Sequence, residues 1–259
     1  MRMRPAEARD VHTRLLKCAL QVEDSRAYWS RWMAAPDASA DTAFSEFWFG
    51  SKSLSRVKVL LTNFRARFDA FPAALAVLSQ WEGLPPDARA VICHWHLQLA
   101  DPLYRRFTGI FLPRRIDDGR PELTHARVVD WVSDQGESRW TMATRRQFAS
   151  KLLSSARTAG LVRRVRDPRQ LVVPHVPDEA VTYLVYLLRE VEVEQPVLDN
   201  PYLRSVGLTG SLLADRLRSL ESVAYAHQAG VVHLTYRFDS LLDWAQATVA
   251  PGLADRSVP

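Results

Sequence analysis

Apolar residues recur at helical spacing along most of this chain. In residues 5–33, Pro5 suits a first helical turn, and Val11, Leu15, Leu16, Ala19 and Leu20 repeat at helical intervals. Trp29, Trp32 and Met33 supply the apolar face of a second helix. Residues 36–41 form a polar linker, with Asp41 placed to cap the next helix. Over 55–69, Val57, Leu60, Leu61, Phe64 and Phe68 share a side, while Arg56, Lys58, Arg65 and Arg67 lie towards the others. Pro72 starts a helix that ends near Gly83, a Trp- and Leu-rich helix covers 87–101, and Pro102 opens another to about Leu112. Residues 113–121, with Pro, Gly and Asp-Asp, break the pattern and read as a domain boundary.

Beyond it, 124–133 is a helix with Val128, Val129 and Val132 as its apolar set, and 134–139 is a turn. Thr141 caps a helix to about Ala159, and Gly160 stands where a left-handed residue closes it. Residues 161–165 and 170–173 are β-rich and joined by Arg166-Asp-Pro-Arg169. Asp178 caps an apolar helix through Leu188, followed by an acidic connector at 190–196. A helix over 212–220, a hairpin around 228–230 and a helix over 240–248 complete the pattern, and the stretch from Pro251 is expected to fray. Helix followed by hairpin at 142–173 has a weak echo at 212–237. The predicted fold is mainly α: a helical N-terminal domain (1–121), a central winged helix-turn-helix (122–176), and a helical C-terminal region with a small hairpin (177–259).

The two cysteines, Cys18 and Cys93, give no disulfide framework, which suits a reducing cytoplasm. No apolar run approaches the roughly 18 residues of a membrane span, and no apolar stretch follows the basic start, so neither span nor secretory leader is expected. Charge changes the picture more. Residues 139–169 hold nine of the 34 Lys and Arg but one of the 29 acids, Asp167, so this window exceeds the whole chain's net +5. Such concentration points to a polyanion, most simply nucleic acid.

At about 100° per residue, Phe148, Ala149, Leu152, Leu153 and Ala156 share one side of the 142–159 helix. Ala143, Gln147, Ser150, Lys151 and Ser154 share the other, flanked by Arg146 and Arg157. A face of small and polar groups can enter a major groove, where Gln or Arg reads base edges. Arg145 falls on the apolar azimuth and reaches outwards from the first turn. In the wing, strand alternation would point Arg164 and Arg166 together and Arg163 away, with Arg169 beyond, for phosphate contact. The expected DNA contacts are Arg145, Arg146, Gln147, Lys151, Arg163, Arg164, Arg166 and Arg169. The plainer alternative is a solvated helix face with a hairpin edge protected by arginine. A second basic group, Arg105, Arg106, Arg114 and Arg115, either extends the positive surface or pairs with Asp101, Asp117 and Asp118.

Other chemistry is thin. On a helix His94 and His96 point about 200° apart, and no second ligand pair has zinc spacing, so no metal is expected. Asp117-Asp118 lies in a Gly/Pro-bounded turn, not a nuclease site, and no Gly-rich phosphate loop precedes a helix. No cofactor and no catalytic residue is expected.

Three stretches carry a family resemblance: Ser53-Leu-Ser-Arg-Val-Lys with Phe64-Arg-Ala-Arg-Phe68, the 88–99 helix followed by 101–107, and Trp140-Thr-x-x-Thr144 with Phe148, Leu152-Leu153 and Ala159-Gly-Leu-Val162. In their order and spacing the chain resembles the BrxA family, small accessory subunits of BREX bacteriophage-exclusion systems. The resemblance spans about residues 44–190. It implies a mostly helical protein with helix-turn-helix-like modules that binds DNA without known enzymatic activity and acts beside other BREX components. Family members are often shorter, so the region after about residue 195 reads as an addition. The expected function is therefore a non-enzymatic, double-stranded-DNA-binding accessory protein of phage defence. The alternatives are a protein-docking scaffold of the defence complex and a winged-helix transcription regulator.

Overall fold

In the computed structural model, which describes residues 4–136, 140–228 and 231–251, side-chain caps fix where many helices begin. Ser39, Ser53, Asp101, Thr124, Thr141, Asn200 and Ser240 each accept a hydrogen bond from the backbone N–H three residues on. An extended strap leads into α1 (Arg14–Lys17), α2 (Val22–Trp32), α3 (Ala40–Ser45) and α4 (Leu54–Phe64). A π-helical turn, Arg65–Asp69, joins α4 to α5 (Pro72–Gln80), and α6 is Pro86–Ala100. Then α7 (Pro102–Arg106) runs through a second π turn, Phe107–Phe111, into α8 (Leu112–Asp117). The middle of the chain forms β1 (Glu122–Leu123), α9 (His125–Ser133), α10 (Met142–Thr158), β2 (Val162–Arg163) and β3 (Arg169–Leu171). The rest is α11 (Asp178–Glu190), α12 (Pro201–Ser205), α13 (Gly210–Ser219), the hairpin β4 (Val223–Gln228) and β5 (Val231–Tyr236), and α14 (Leu241–Thr248). The fold is mainly α with small antiparallel hairpins, as the sequence predicts.

The core centres on α6. Every residue from Val91 to Leu99 is buried, the polar ones included. His94 hydrogen-bonds Tyr104 and Ser205, His96 meets Tyr183, and Gln98 donates to Thr108. The Trp95 indole donates to the Tyr202 carbonyl at 3.1 Å. Buried side chains from Leu15 to Ala250 join in one contiguous apolar cluster.

Several local expectations change. The helix predicted from Pro5 is an extended strap: Ala6 bridges Glu192 in parallel, and Ala8 N–H donates to the Leu99 carbonyl. The cause is Glu7, only 5% exposed, which accepts from the Tyr202 hydroxyl and the Glu194 N–H and pairs with Arg105 at 3.5 Å. Those contacts hold the segment straight, and helix appears only at α1. Ser39, not Asp41, caps α3. Asp178 is the first residue of its helix and Pro177 the cap position. Arg67 is inside, donating to the carbonyls of Cys18 and Ala19. Pro113 does not end the helix, because the preceding π turn widens the backbone where its ring would meet the Gly109 carbonyl. Neither β1 nor α12 is predicted by the sequence pattern. Residues 137–139 of the expected turn, 229–230 of the hairpin tip and 252–259 of the tail lie outside the described residues.

At Gly109 the second π turn touches α12: a Cβ there would lie 2.3 Å from Pro201 Cβ and 2.6 Å from its carbonyl oxygen. Gly109→Ala should therefore cost about 1–3 kcal/mol of stability through overpacking. Urea unfolding measures this, and an unchanged midpoint would refute the close approach.

Candidate nucleic-acid interface

Reading from α8 through β1, α9, α10, β2 and the wing to β3, the element order is that of a winged helix-turn-helix. The three strands form one antiparallel sheet in the order β1-β3-β2, with Glu122 opposite Gln170 and Val162 opposite Leu171. Helix α10 packs on α9, and Trp140 stacks on Phe148 with ring centroids 4.2 Å apart. Gly160, at φ +79°, ends α10 and lets Leu161 N–H reach the Ala156 carbonyl at 2.9 Å.

The two faces of α10 fall as the periodicity predicts. Phe148, Ala149, Leu152, Leu153 and Ala156 are at most 3% exposed. Ala143, Arg146, Gln147, Ser150, Ser154 and Arg157 are exposed, while Arg145 and Lys151 are half-buried. No acid lies on α10. The start of α9 borders this outer face, where His125 Nε2 lies 3.0 Å from Ser150 Oγ.

The wing departs from simple alternation. Strand β2 stops at Arg163, and Arg164 takes a left-handed φ of +66°. The rule that would align Arg164 with Arg166 therefore fails, because it needs continuous extended backbone. Arg163, Arg164 and Arg166 are all exposed, and none forms an ion pair among the described residues. Arg169 differs: its guanidinium pairs with Asp167, and its side chain is 16% exposed. Asp167 also accepts from the His125 N–H at 2.8 Å. The one acid of the basic window thus ties the wing root to α9. The sequence pattern singles out Asp167 as the one acid of the basic window but assigns no role to it or to His125, although a lone acid two residues before an arginine was a signal.

Comparison with protein-family models, curated proteins and solved structures gives no match.

The second basic group does not form one surface. Arg105 is buried, held by Glu7 and by the carbonyls of Gln98 and Ala8. Arg106 donates to Gln135 and Arg115 to the Glu122 carbonyl, leaving Arg114 exposed. Among the described residues no three His, Cys, Asp or Glu side chains are grouped to hold a metal ion, and no helix is long and apolar enough to cross a membrane.

Burial pushes the imidazoles of His94 and His96 down to about 3, with Arg67 adding to the effect at His96. Their folded values lie below the unfolded value near 6.5, so their contribution is complete above that pH and is lost as pH falls towards 3. Each histidine costs at most about 1.4 kcal/mol per pH unit in that window. Asp69, Asp101 and Glu190, each raised by burial, act in the opposite direction. Both rings should stay neutral at about pH 5 in the folded protein, which NMR titration of the imidazole protons measures. Protonation of either ring at that pH would show that the two are not buried as neutral groups.

Proposed function

We propose that this chain is a non-enzymatic double-stranded-DNA-binding protein, acting in the cytoplasm as an accessory subunit of a BREX-type phage-defence system. One observation carries the DNA reading. The outer face of α10 is free of acid, the wing beside it exposes three arginines that form no ion pair among the described residues, and Asp167, the one acid of the wing, is taken up by Arg169 and the His125 N–H. The phage-defence part rests on the BrxA resemblance alone.

In this reading the outer face of α10 enters the major groove. Gln147, Arg146 and Lys151 face the base edges, Arg163, Arg164 and Arg166 take phosphates, and Arg145 supports from the first turn. Arg169 holds the wing in place through Asp167 rather than meeting DNA as a free charge. Arginines outnumber base-reading amides, so affinity depends strongly on salt and weakly on sequence.

A docking role is the second reading, and one feature favours it. A cleft of about 440 Å³ between the winged unit and α13 is lined by Ile116, Val173 and Leu212, all exposed. Complexes with partner subunits that survive nuclease treatment, together with no DNA binding by the isolated chain, would favour docking over DNA.

Arg164→Glu with Arg166→Glu should weaken duplex binding roughly tenfold or more at fixed salt while the fold is kept. Gel-shift titration with a circular-dichroism control measures both, and unchanged affinity would sink the site.

A further inference from the structure

We infer that the DNA-contacting surface extends beyond the winged unit to Arg14 and Lys17 on α1, with Arg56 of α4 beside them, as a second phosphate-binding patch. This rests on the DNA-binding reading above. Helix α1 packs against α10, although well over a hundred residues separate them in the chain. The strap delivers it there: Glu7 is pinned by Arg105 and Tyr202, and His12 Nε2 lies 2.9 Å from the Ala100 carbonyl.

The charges at this place are uncompensated. Between Asp10 and Glu23 the chain carries Arg14 and Lys17 and no acid. Both side chains are exposed, and neither makes a hydrogen bond or ion pair among the described residues. Residues 47–68 carry five basic residues and no acid. Three of the five are used within the fold: Lys52 pairs with Asp24, Arg65 donates to the Ala38 carbonyl, and Arg67 is buried against Cys18 and Ala19. Of the other two, Arg56 donates to the Lys17 carbonyl at 2.9 Å, which sets its guanidinium beside α1. Lys58 sits about 200° further round α4 and belongs to another side.

Duplex geometry gives this patch a use. A helix in a major groove about 12 Å wide has a phosphate backbone on each side. The wing serves one strand. Basic charge on α1, packed against the same helix, serves the other.

The test is fluorescence anisotropy of the full chain with a labelled duplex of about 25 base pairs, between about 50 and 200 mM salt. Arg14→Gln with Lys17→Gln should lower affinity severalfold and reduce the slope of log affinity against log salt by about 1–2, near 0.9 per lost phosphate contact. Lys58→Gln should change neither. These exposed side chains make no contact the fold uses, so the thermal midpoint should hold. Affinity and slope equal to wild type in the Arg14/Lys17 variant, with binding still lost in the Arg164/Arg166 variant, would overturn this inference and leave the winged site standing. No duplex binding by wild type would overturn both. Tighter binding of duplex RNA than DNA would also overturn it.

Discussion

From Val91 to Leu99 helix α6 has no outward face, and the rest of the molecule is arranged around that fact. A helix buried on every side must find partners for each polar side chain it carries. His94 and Gln98, one turn apart, share a face and reach α7, the second π turn and α12, while His96 points away from them to Tyr183 of α11. Leaving one such group unpaired would cost on the order of 1–3 kcal/mol. Burial of α6 therefore requires the chain from Pro102 to Ser205 to be assembled, and it takes the strap as well, through Ala8 on the Leu99 carbonyl. Those contacts also position α1 against α10, so one buried helix sets the frame in which the basic surface is displayed.

What was legible in the sequence was what is decided locally. Thr141, the apolar spacing from Phe148 to Ala156 and Gly160 lie within about five turns of helix, and each acts on its immediate neighbours. They specify α10 and its two faces without help. The strap was illegible for the opposite reason. Its apolar spacing suits a helix, but Glu7 is held by Arg105, Glu194 and Tyr202, partners that no local pattern reveals. Strand β1 is two residues long and exists because β3 pairs with it, so it has no signature of its own.

Arginine misleads for a related reason. Sequence patterning treats a guanidinium as outward-facing, yet Arg67 and Arg105 are buried where backbone carbonyls, and in one case Glu7, take up their donors. A planar group with five donors suits such sites better than an ammonium does. The wing shows the same competition at the surface. Arg169 and Asp167 neutralise one another, and the pair fixes the loop that carries Arg164 and Arg166.

The distinction that matters for function is thus between arginines the fold uses and arginines it leaves unused. Arg67, Arg105 and Arg169 could not be replaced by uncharged residues without stranding a carbonyl or a carboxylate. Arg146, Arg163, Arg164 and Arg166 are exposed and pair with no acid among the described residues. Like charges held close together repel, and in the free protein only solvent and salt relieve that repulsion. A fold with no internal use for these charges gains nothing from concentrating them around one acid-free helix face. A phosphate backbone would remove the repulsion and release its own counterions in doing so, which is why the arrangement favours a polyanion over an apolar partner at this face.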